Sequence, residues 1–211
     1  MNNCRFCDIA KLKDNEHKPE NSVFAQTDKY FAISSIGALV EGWTLVVPKE
    51  HCCSMKEIYK DVDFEEFVNS VIAALTDSYG PIIAFEHGPN RQGSETSCGT
   101  DHAHIHLVPF HSLSKKLDKM NLLWMPCYSS EVSNIVQDNE YLFYVDVETA
   151  LGSTQGRIHI LEHPISQFFR KVIADDLGVG DKYNYKINPD TELTLKTIDR
   201  MSRYFAESNG G

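Results

Sequence analysis

The chain has 211 residues, 42% of them hydrophobic and 24% charged, so it is long enough to bury a sizeable core. Its formal net charge of -10 argues against a general nucleic-acid binder, because such proteins usually carry a basic face. No apolar run approaches the ~20 residues of a membrane span, and the first residues do not form a signal peptide. We therefore expect a cytoplasmic protein without a membrane segment.

Six cysteines could in principle pair as disulfides, but without a secretory signal metal binding or reduced thiols are favoured. Cys4 and Cys7 have the Cys-x-x-Cys spacing of a zinc knuckle, in which two thiolates bind one tetrahedral ion. A redox dithiol is the alternative, although no thioredoxin-like context follows the pair. A zinc site would need two more ligands, and histidines are the natural source.

Apolar patterning predicts the elements of the first half of the chain. Residues 22–26 and 30–34 form a predicted hairpin, and residues 44–47 form a buried strand. Residues 61–79 have apolar side chains at three- and four-residue spacing behind an acidic start, which is typical of an amphipathic helix. Residues 82–86 form the next buried strand.

A loop at residues 87–100 leads into residues 101–109, which are predicted to be a buried strand with three histidines on one face. Because side chains alternate along a strand, His102, His104 and His106 point away from the core that their apolar neighbours enter. Three imidazoles in this spacing form a row of nitrogen ligands, bases or nucleophiles on a rigid scaffold. Isolated histidines on strands are usually half-buried polar residues, but regular alternation favours chemistry.

This pattern, His-x-His-x-His at residues 102–106 followed by Leu-Val-Pro, resembles the signature of the histidine triad (HIT) superfamily. Two upstream stretches match as well: Cys-Arg-Phe-Cys-Asp-Ile at residues 4–9, and Val-Glu-Gly-Trp-Thr-Leu-Val-Val-Pro-Lys-Glu-His at residues 40–51. The resemblance covers the first half of the chain, to about residue 111. Members of this superfamily are nucleotide-binding hydrolases and transferases that act at an α-phosphate.

The resemblance implies an α+β fold with an antiparallel sheet of about five strands and covering helices. It implies a HIT-like catalytic domain at residues 1–112, with residues 113–211 as a C-terminal α/β extension packed on it. Superfamily members commonly pair through a helix and a sheet edge, so we expect a homodimer.

A structural zinc ion is a further implication of the resemblance. In zinc-binding members the ion is held by the Cys-x-x-Cys pair, a histidine after the Pro-Lys stretch and the first triad histidine. The corresponding positions here are Cys4, Cys7, His51 and His102, and all four are competent ligands. Zinc-free members show that the fold also stands without the ion.

The resemblance assigns catalytic roles to the other two histidines. His104 is the implied nucleophile, which forms a covalent nucleotidyl-histidine that water then hydrolyses. A backbone carbonyl is expected to fix its tautomer. His106 would hydrogen-bond phosphate oxygens and stabilise the charge of the transition state. Superfamily transferases tend to carry glutamine at this third position, so His106 favours water as the acceptor.

The substrate is expected to lie between the first hairpin and the loop at residues 87–100. In the resembled fold the hairpin lines a base and ribose pocket and the loop cradles phosphate, although aromatic strand residues are also common in cores. Many members carry a Gly-Gln-Ser-like stretch before the triad, whereas residues 97–99 here read Ser-Cys-Gly. The candidate substrate-binding residues are Phe24, Phe31, Ile33, Gly88, Asn90, Arg91, Ser97, Gly99 and Thr100.

Beyond residue 111 the patterning predicts further helices and strands. These are a helix at 113–125, strands at 140–147 and 157–161, a helix at 165–177 and a final helix at 191–205. The extension could complete the substrate pocket, with Arg157, Arg170 or Lys171 meeting phosphate, or form a dimer surface.

The leading interpretation is a hydrolase that cleaves at the α-phosphate of a nucleoside 5′-phosphoryl compound: a phosphoramidate, a dinucleoside polyphosphate or a sugar nucleotide. One alternative is a non-catalytic module that binds nucleotides or RNA ends. A second is a zinc-stabilised scaffold, and a third is a nucleotidyltransferase or phosphorylase.

Overall fold

A computed structural model describes residues 4–12 and 18–209. The predicted domain ranges also include residues that lie outside the described ones, namely 1–3, 13–17, 210 and 211. The described residues form an α+β fold with eight strands: β1 Val23–Gln26, β2 Tyr30–Ser34, β3 Thr44–Pro48, β4 Ile82–Gly88, β5 Ile105–Pro109, β6 Met125–Cys127, β7 Tyr141–Val147 and β8 Gly156–Ile160. All pair antiparallel in one sheet, in the order β1-β2-β3-β5-β4-β7-β8-β6.

Six α-helices cover this sheet within the described part of the chain: α1 Arg5–Lys11, α2 Val62–Tyr79, α3 Ser114–Leu117, α4 Val132–Val136, α5 Phe168–Asp176 and α6 Thr191–Asn209. The helix predicted at residues 61–79 is confirmed as α2. It begins where the Asp61 carboxylate accepts a 3.0 Å hydrogen bond from the Asp63 N–H. It ends at Gly80, whose φ of 94° is readily adopted only by glycine. None of the described helices is long and apolar enough to cross a membrane.

The sheet separates two hydrophobic cores because successive strand residues face opposite sides. On the first face, α2, α4 and α6 pack over strand residues such as Val46, Ile105 and Leu107. On the second face, α1, α3 and α5 pack over residues such as Phe85 and Val108. The apolar residues that alternate with the histidines therefore enter the first core, as predicted.

The sheet corrects the expected count of about five strands, because the strands of the predicted extension continue it. β7 pairs with β4 along its whole length, from Ile82 opposite Val147 to Gly88 opposite Tyr141. Both edges of β4 are thus occupied within the chain, and the strands at the sheet's edges are β1 and β6. A dimer formed through a sheet edge would have to use one of these two short strands.

Two helix boundaries predicted for the C-terminal half were wrong for local reasons. The helix predicted at residues 113–125 is only the four-residue α3, and residues 125–127 form edge strand β6, where the missing N–H of Pro126 is tolerated. The helix predicted at residues 165–177 begins at Phe168, because Gln167 has a left-handed φ of 56°.

The triad strand begins at Ile105 rather than at residue 101. The N–H of His102 bonds to the Thr100 carbonyl, and the N–H of Ala103 bonds to the Cys52 carbonyl, so the first two histidines lie just before the sheet ladder.

Candidate active site and metal centre

His104 and His106 form a row on the second face of the sheet. His106 lies in β5, opposite Leu45 of β3 and Phe85 of β4, and its ring stacks on Phe85 with centroids 4.6 Å apart. The His104 ring lies 4.9 Å from the His106 ring and 5.4 Å from Phe6 of α1. The strand fixes one ring and helix α1 borders the other, so both imidazoles are held by packing.

Two hydrogen bonds give the neutral histidines opposite tautomers. His104 Nδ1 lies 2.8 Å from the His102 carbonyl, which can only accept, so Nδ1 carries the hydrogen and Nε2 has a free lone pair. The indole N–H of Trp43 donates to His106 Nδ1 at 2.9 Å, so the hydrogen of His106 is on Nε2. One histidine thus offers a nucleophilic nitrogen and its neighbour offers a donor.

Burial keeps both imidazoles neutral near pH 7. Desolvation lowers the pKa of His104 to about 4, and it lowers the pKa of His106 well below its usual value. Neutral imidazole is the form that can attack phosphorus, since the protonated ring has no lone pair to give.

The two histidines open into a cavity of about 250 Å³. Its wall includes residues of α1, of the loop before the triad and of the C-terminal half of the chain. The lining residues are Arg5, Phe6, Ser35, Ile36, Leu45, His87, Ser97, Cys98, Gly99, Thr100, His104, His106, Arg170 and Tyr185.

Arg5 and Arg170 bring positive charge to this cavity, and the Glu20 carboxylate acts on Arg5 without pairing with it. Arg5 donates from Nε and Nη2 to the Asn21 side-chain oxygen at 3.1 and 2.7 Å. Arg170 is 3% exposed; Nε donates to the Tyr183 carbonyl at 2.7 Å, and Nη2 donates to the Gly37 carbonyl. Among residues 4–12 and 18–209, neither guanidinium forms an ion pair with a carboxylate. Buried charges are normally paired, so this wall is suited to an anion.

The C-terminal part of the chain closes one side of the cavity. The Tyr185 hydroxyl donates to the Cys98 carbonyl at 2.9 Å. Tyr185 also packs closely on Gly37: a β-carbon added to Gly37 would lie 2.6 Å from the β-carbon of Tyr185. Arg170 stacks over Trp43 at 4.8 Å. The cavity is therefore shared between the two predicted domain ranges.

The predicted substrate residues are only partly brought together. Ser97, Gly99 and Thr100 line the cavity, and Gly99 has a left-handed φ of 87°. The other candidates do not line it. In the hairpin, Phe24 stacks on Phe205 of α6, and Phe31 and Ile33 are buried in the second core. In the loop, Asn90 bonds the Asp138 carbonyl, Gly88 packs on Tyr141 and Arg91 is exposed.

Sequence reasoning missed Arg5, Trp43 and His87 as parts of the site. His87 could have been found by continuing the alternation of β4, because it follows Phe85 on the same face. Of the three basic candidates in the extension, Arg170 lines the cavity, whereas Lys171 is exposed and Arg157 bonds Asp118 elsewhere.

Cys4, Cys7, His51 and His102 form one cluster, with donor atoms within 4.8 Å of one another. Cys4 Sγ lies 3.3 Å from His102 Nδ1, and Cys7 Sγ lies 3.3 Å from His51 Nδ1 and 3.6 Å from His102 Nδ1. The two Nδ1 atoms are 3.2 Å apart. Tetrahedral zinc with ordinary bond lengths has donors about 3.3–3.8 Å apart, so the cluster fits zinc.

The surroundings of the cluster orient its histidines as ligands. His102 Nε2 bonds the Pro48 carbonyl at 2.8 Å, which puts the hydrogen on Nε2 and leaves Nδ1 free for a metal. His51 Nε2 lies 3.0 Å from the Gln92 side chain. A metal here would tie α1 to the segment that carries His104.

Comparisons with known proteins give similar structures but no family assignment. No family model matches the chain, and no curated protein matches it. A HIT family hydrolase from Clostridium thermocellum is 20% identical with a TM-score of 0.39, and the match covers 54% of this chain and 95% of that one. A Hit-like protein involved in cell-cycle regulation from Bartonella henselae is 18% identical (TM-score 0.39; 54% and 84% covered). SMU.412c from Streptococcus mutans is 22% identical (TM-score 0.37; 56% and 81% covered).

Proposed function

We propose that this protein is a histidine-triad-type hydrolase that cleaves at the α-phosphate of a nucleoside 5′-phosphoryl compound. The observation that carries the proposal is the pair of neutral histidines in opposite tautomers, in a cavity with two guanidinium groups that lack acidic partners. The lone pair, the donor and the positive charge are the three things that nucleophilic attack on an anionic phosphoryl group requires.

The first step forms a covalent intermediate. His104 Nε2 attacks the α-phosphorus, the N–P bond forms, and the bond to the leaving group breaks with its electron pair going to that group. The Nδ1 hydrogen stays on the ring and is stabilised by the His102 carbonyl. His106 Nε2–H and the Arg5 guanidinium, which lies on the His104 side of the cavity, stabilise the charge on the phosphoryl oxygens.

In the second step water attacks the same phosphorus. The O–P bond forms, the N–P bond breaks with its electron pair returning to Nε2, and one water proton is released to solvent. The products are a nucleoside monophosphate and a neutral His104, ready for another cycle. The two cysteines and two histidines of the cluster would hold a zinc ion, which supplies rigidity beside His104 when bound.

Steady-state hydrolysis tests the proposal with substrates of each class: adenosine phosphoramidate, diadenosine polyphosphates and sugar nucleotides. We expect a nucleoside monophosphate as product and a loss of at least about 10³-fold in His104→Ala, since the nucleophile is removed. His163→Ala is the matched control, because His163 is exposed and outside the cavity. Equal activity in wild type and His104→Ala would overturn the proposal.

A further inference from the structure

His87 lies in the cavity but has no part in the reaction just proposed. It follows Phe85 by two residues near the end of β4, so its ring is on the same face as His106. Its centroid is 6.4 Å from that of His106 and 5.3 Å from that of Phe169. Its Nε2 is buried and has no hydrogen-bond partner among the described residues. A buried nitrogen without a partner is costly unless a ligand supplies one.

Arg170 is the second unexplained group, and it is held rigidly. Its Nε and Nη2 are used by the Tyr183 and Gly37 carbonyls, and its guanidinium lies over Trp43. These contacts fix the direction of the guanidinium but leave its positive charge without an anion in the described structure.

The two arginines act on different histidines. After burial, the largest cause, and the neighbouring histidines, the charge of Arg170 contributes to the lowered pKa of both His87 and His106, and the exposed Lys171 contributes at His87. For His104, Arg5 is the contributing arginine. The contacts agree: Arg5 lies over the Phe6 ring, which borders His104, and Arg170 lies over Trp43, which bonds His106. The cavity therefore has an Arg5 side next to the nucleophile and an Arg170 side next to His106 and His87.

We propose that His87 and Arg170 form a second anion subsite, which binds the phosphoryl group next to the one that His104 attacks. This inference rests on the proposed function and names a substrate class for it: nucleoside 5′-diphosphates and their esters. A phosphoramidate brings one phosphoryl charge to two guanidinium groups, those of the buried Arg170 and the half-buried Arg5, whereas a diphosphate brings at least two charges. The leaving phosphate departs with the electron pair of the P–O bond and needs no proton donor.

The binding experiment uses AMP and α,β-methylene-ADP, whose bridging carbon prevents cleavage, and their guanosine, cytidine and uridine counterparts. Titration calorimetry compares wild type with His87→Phe, Arg170→Met and Lys171→Met. His87→Phe keeps a ring between Phe85 and Phe169, and Lys171→Met removes an exposed charge from the neighbouring position of α5.

In wild type and Lys171→Met we expect the second phosphoryl group to increase affinity at least about tenfold for the accepted base. In His87→Phe and Arg170→Met this increase should fall to about threefold or less, with monophosphate affinity little changed. Because Arg170 also braces Gly37 and Tyr183, its variant needs a thermal unfolding check, and His87→Phe alone suffices if Arg170→Met does not fold.

Equal affinity for monophosphate and diphosphate analogues in wild type would overturn the subsite, as would an unchanged ratio in His87→Phe. No binding of any analogue would overturn it too. If only the proposed function failed, the results would be different. The diphosphate analogues would still bind more tightly than the monophosphates, and the variants would still reduce that difference, but no hydrolysis would be observed.

Discussion

The indole N–H of Trp43 donates a 2.9 Å hydrogen bond to Nδ1 of His106. Because an indole can only donate, this bond sets the tautomer of His106 and directs its remaining N–H away from Trp43. The fully buried Trp43 lies just before β3, and Arg170 covers its other side. Trp43 is thus a positioning residue for the histidine beside the nucleophile.

Trp43→Phe should lower kcat about tenfold, since His106 loses the bond that fixes its tautomer, and KM should change less. Nitrogen-15 chemical shifts of His106 should change from one tautomer to a mixture. Trp124→Phe is the control, because Trp124 lies near β6 and outside the cavity. A single unchanged tautomer in Trp43→Phe would contradict this role.

Cys7→Ser should abolish metal binding, because one of the four donors in the cluster is lost. Elemental analysis should find about one zinc per chain in wild type and much less in the variant, with a lower melting temperature. Cys53→Ser keeps all four donors and should keep the metal. Equal zinc content in wild type and Cys7→Ser would show that the cluster does not hold the ion.

We expect Glu86 to make a pH-dependent contribution to the stability of the folded protein. It is 1% exposed, and its carboxylate accepts from the Met55 N–H and the hydroxyls of Tyr59 and Tyr141. Burial nevertheless raises its pKa from 4.5 to about 7. The folded state therefore holds this proton more tightly than the unfolded state, so the contribution is complete below pH 4.5 and is lost as pH rises through about 7.

Urea unfolding of wild type and Glu86→Gln at pH 4.5, 6 and 8 isolates this contribution, since other titrating groups are common to both proteins. The free energy of unfolding of wild type relative to Glu86→Gln should fall by about 3 kcal/mol between pH 4.5 and 8. A difference independent of pH would show that Glu86 titrates normally in the folded protein.

Tyr185→Phe tests whether the C-terminal part of the chain completes the substrate cavity. It removes the hydroxyl that bonds the Cys98 carbonyl, so the loop before the triad should be held less firmly. We expect KM to rise about threefold to tenfold with kcat little changed. Tyr183→Phe, on the same segment but outside the cavity, is the control. A KM equal to that of wild type would contradict the role of this bond.

Local patterns predicted the parts of the fold that depend on local periodicity. The spacing of Phe64, Val68 and Val71 predicted α2, and alternation at residues 101–109 predicted which residues face each core. The resemblance to a known superfamily gave the four residues of the metal cluster, which the structure brings together.

Contacts between distant segments could not be predicted in this way. Pairing of β4 with β7 joins residues about 60 positions apart, and nothing in either strand specifies that partner. The hydrogen bond from Trp43 to His106 and the approach of Arg170 to Trp43 likewise depend on tertiary packing. Apolar side chains such as Phe31 and Ile33 occur both in ligand pockets and in cores, so their type could not decide between the two. The structure buries them in the second core.

The central claim, a covalent intermediate on His104, is tested most directly by intact-protein mass spectrometry after brief mixing with a nucleoside 5′-phosphoryl substrate. Wild type and His163→Ala should gain the mass of one nucleoside monophosphoryl group, whereas His104→Ala should gain none. His106→Ala should form the adduct more slowly, because it keeps the nucleophile and loses the donor. An adduct of the same mass on His104→Ala, or turnover without any adduct on wild type, would contradict the account.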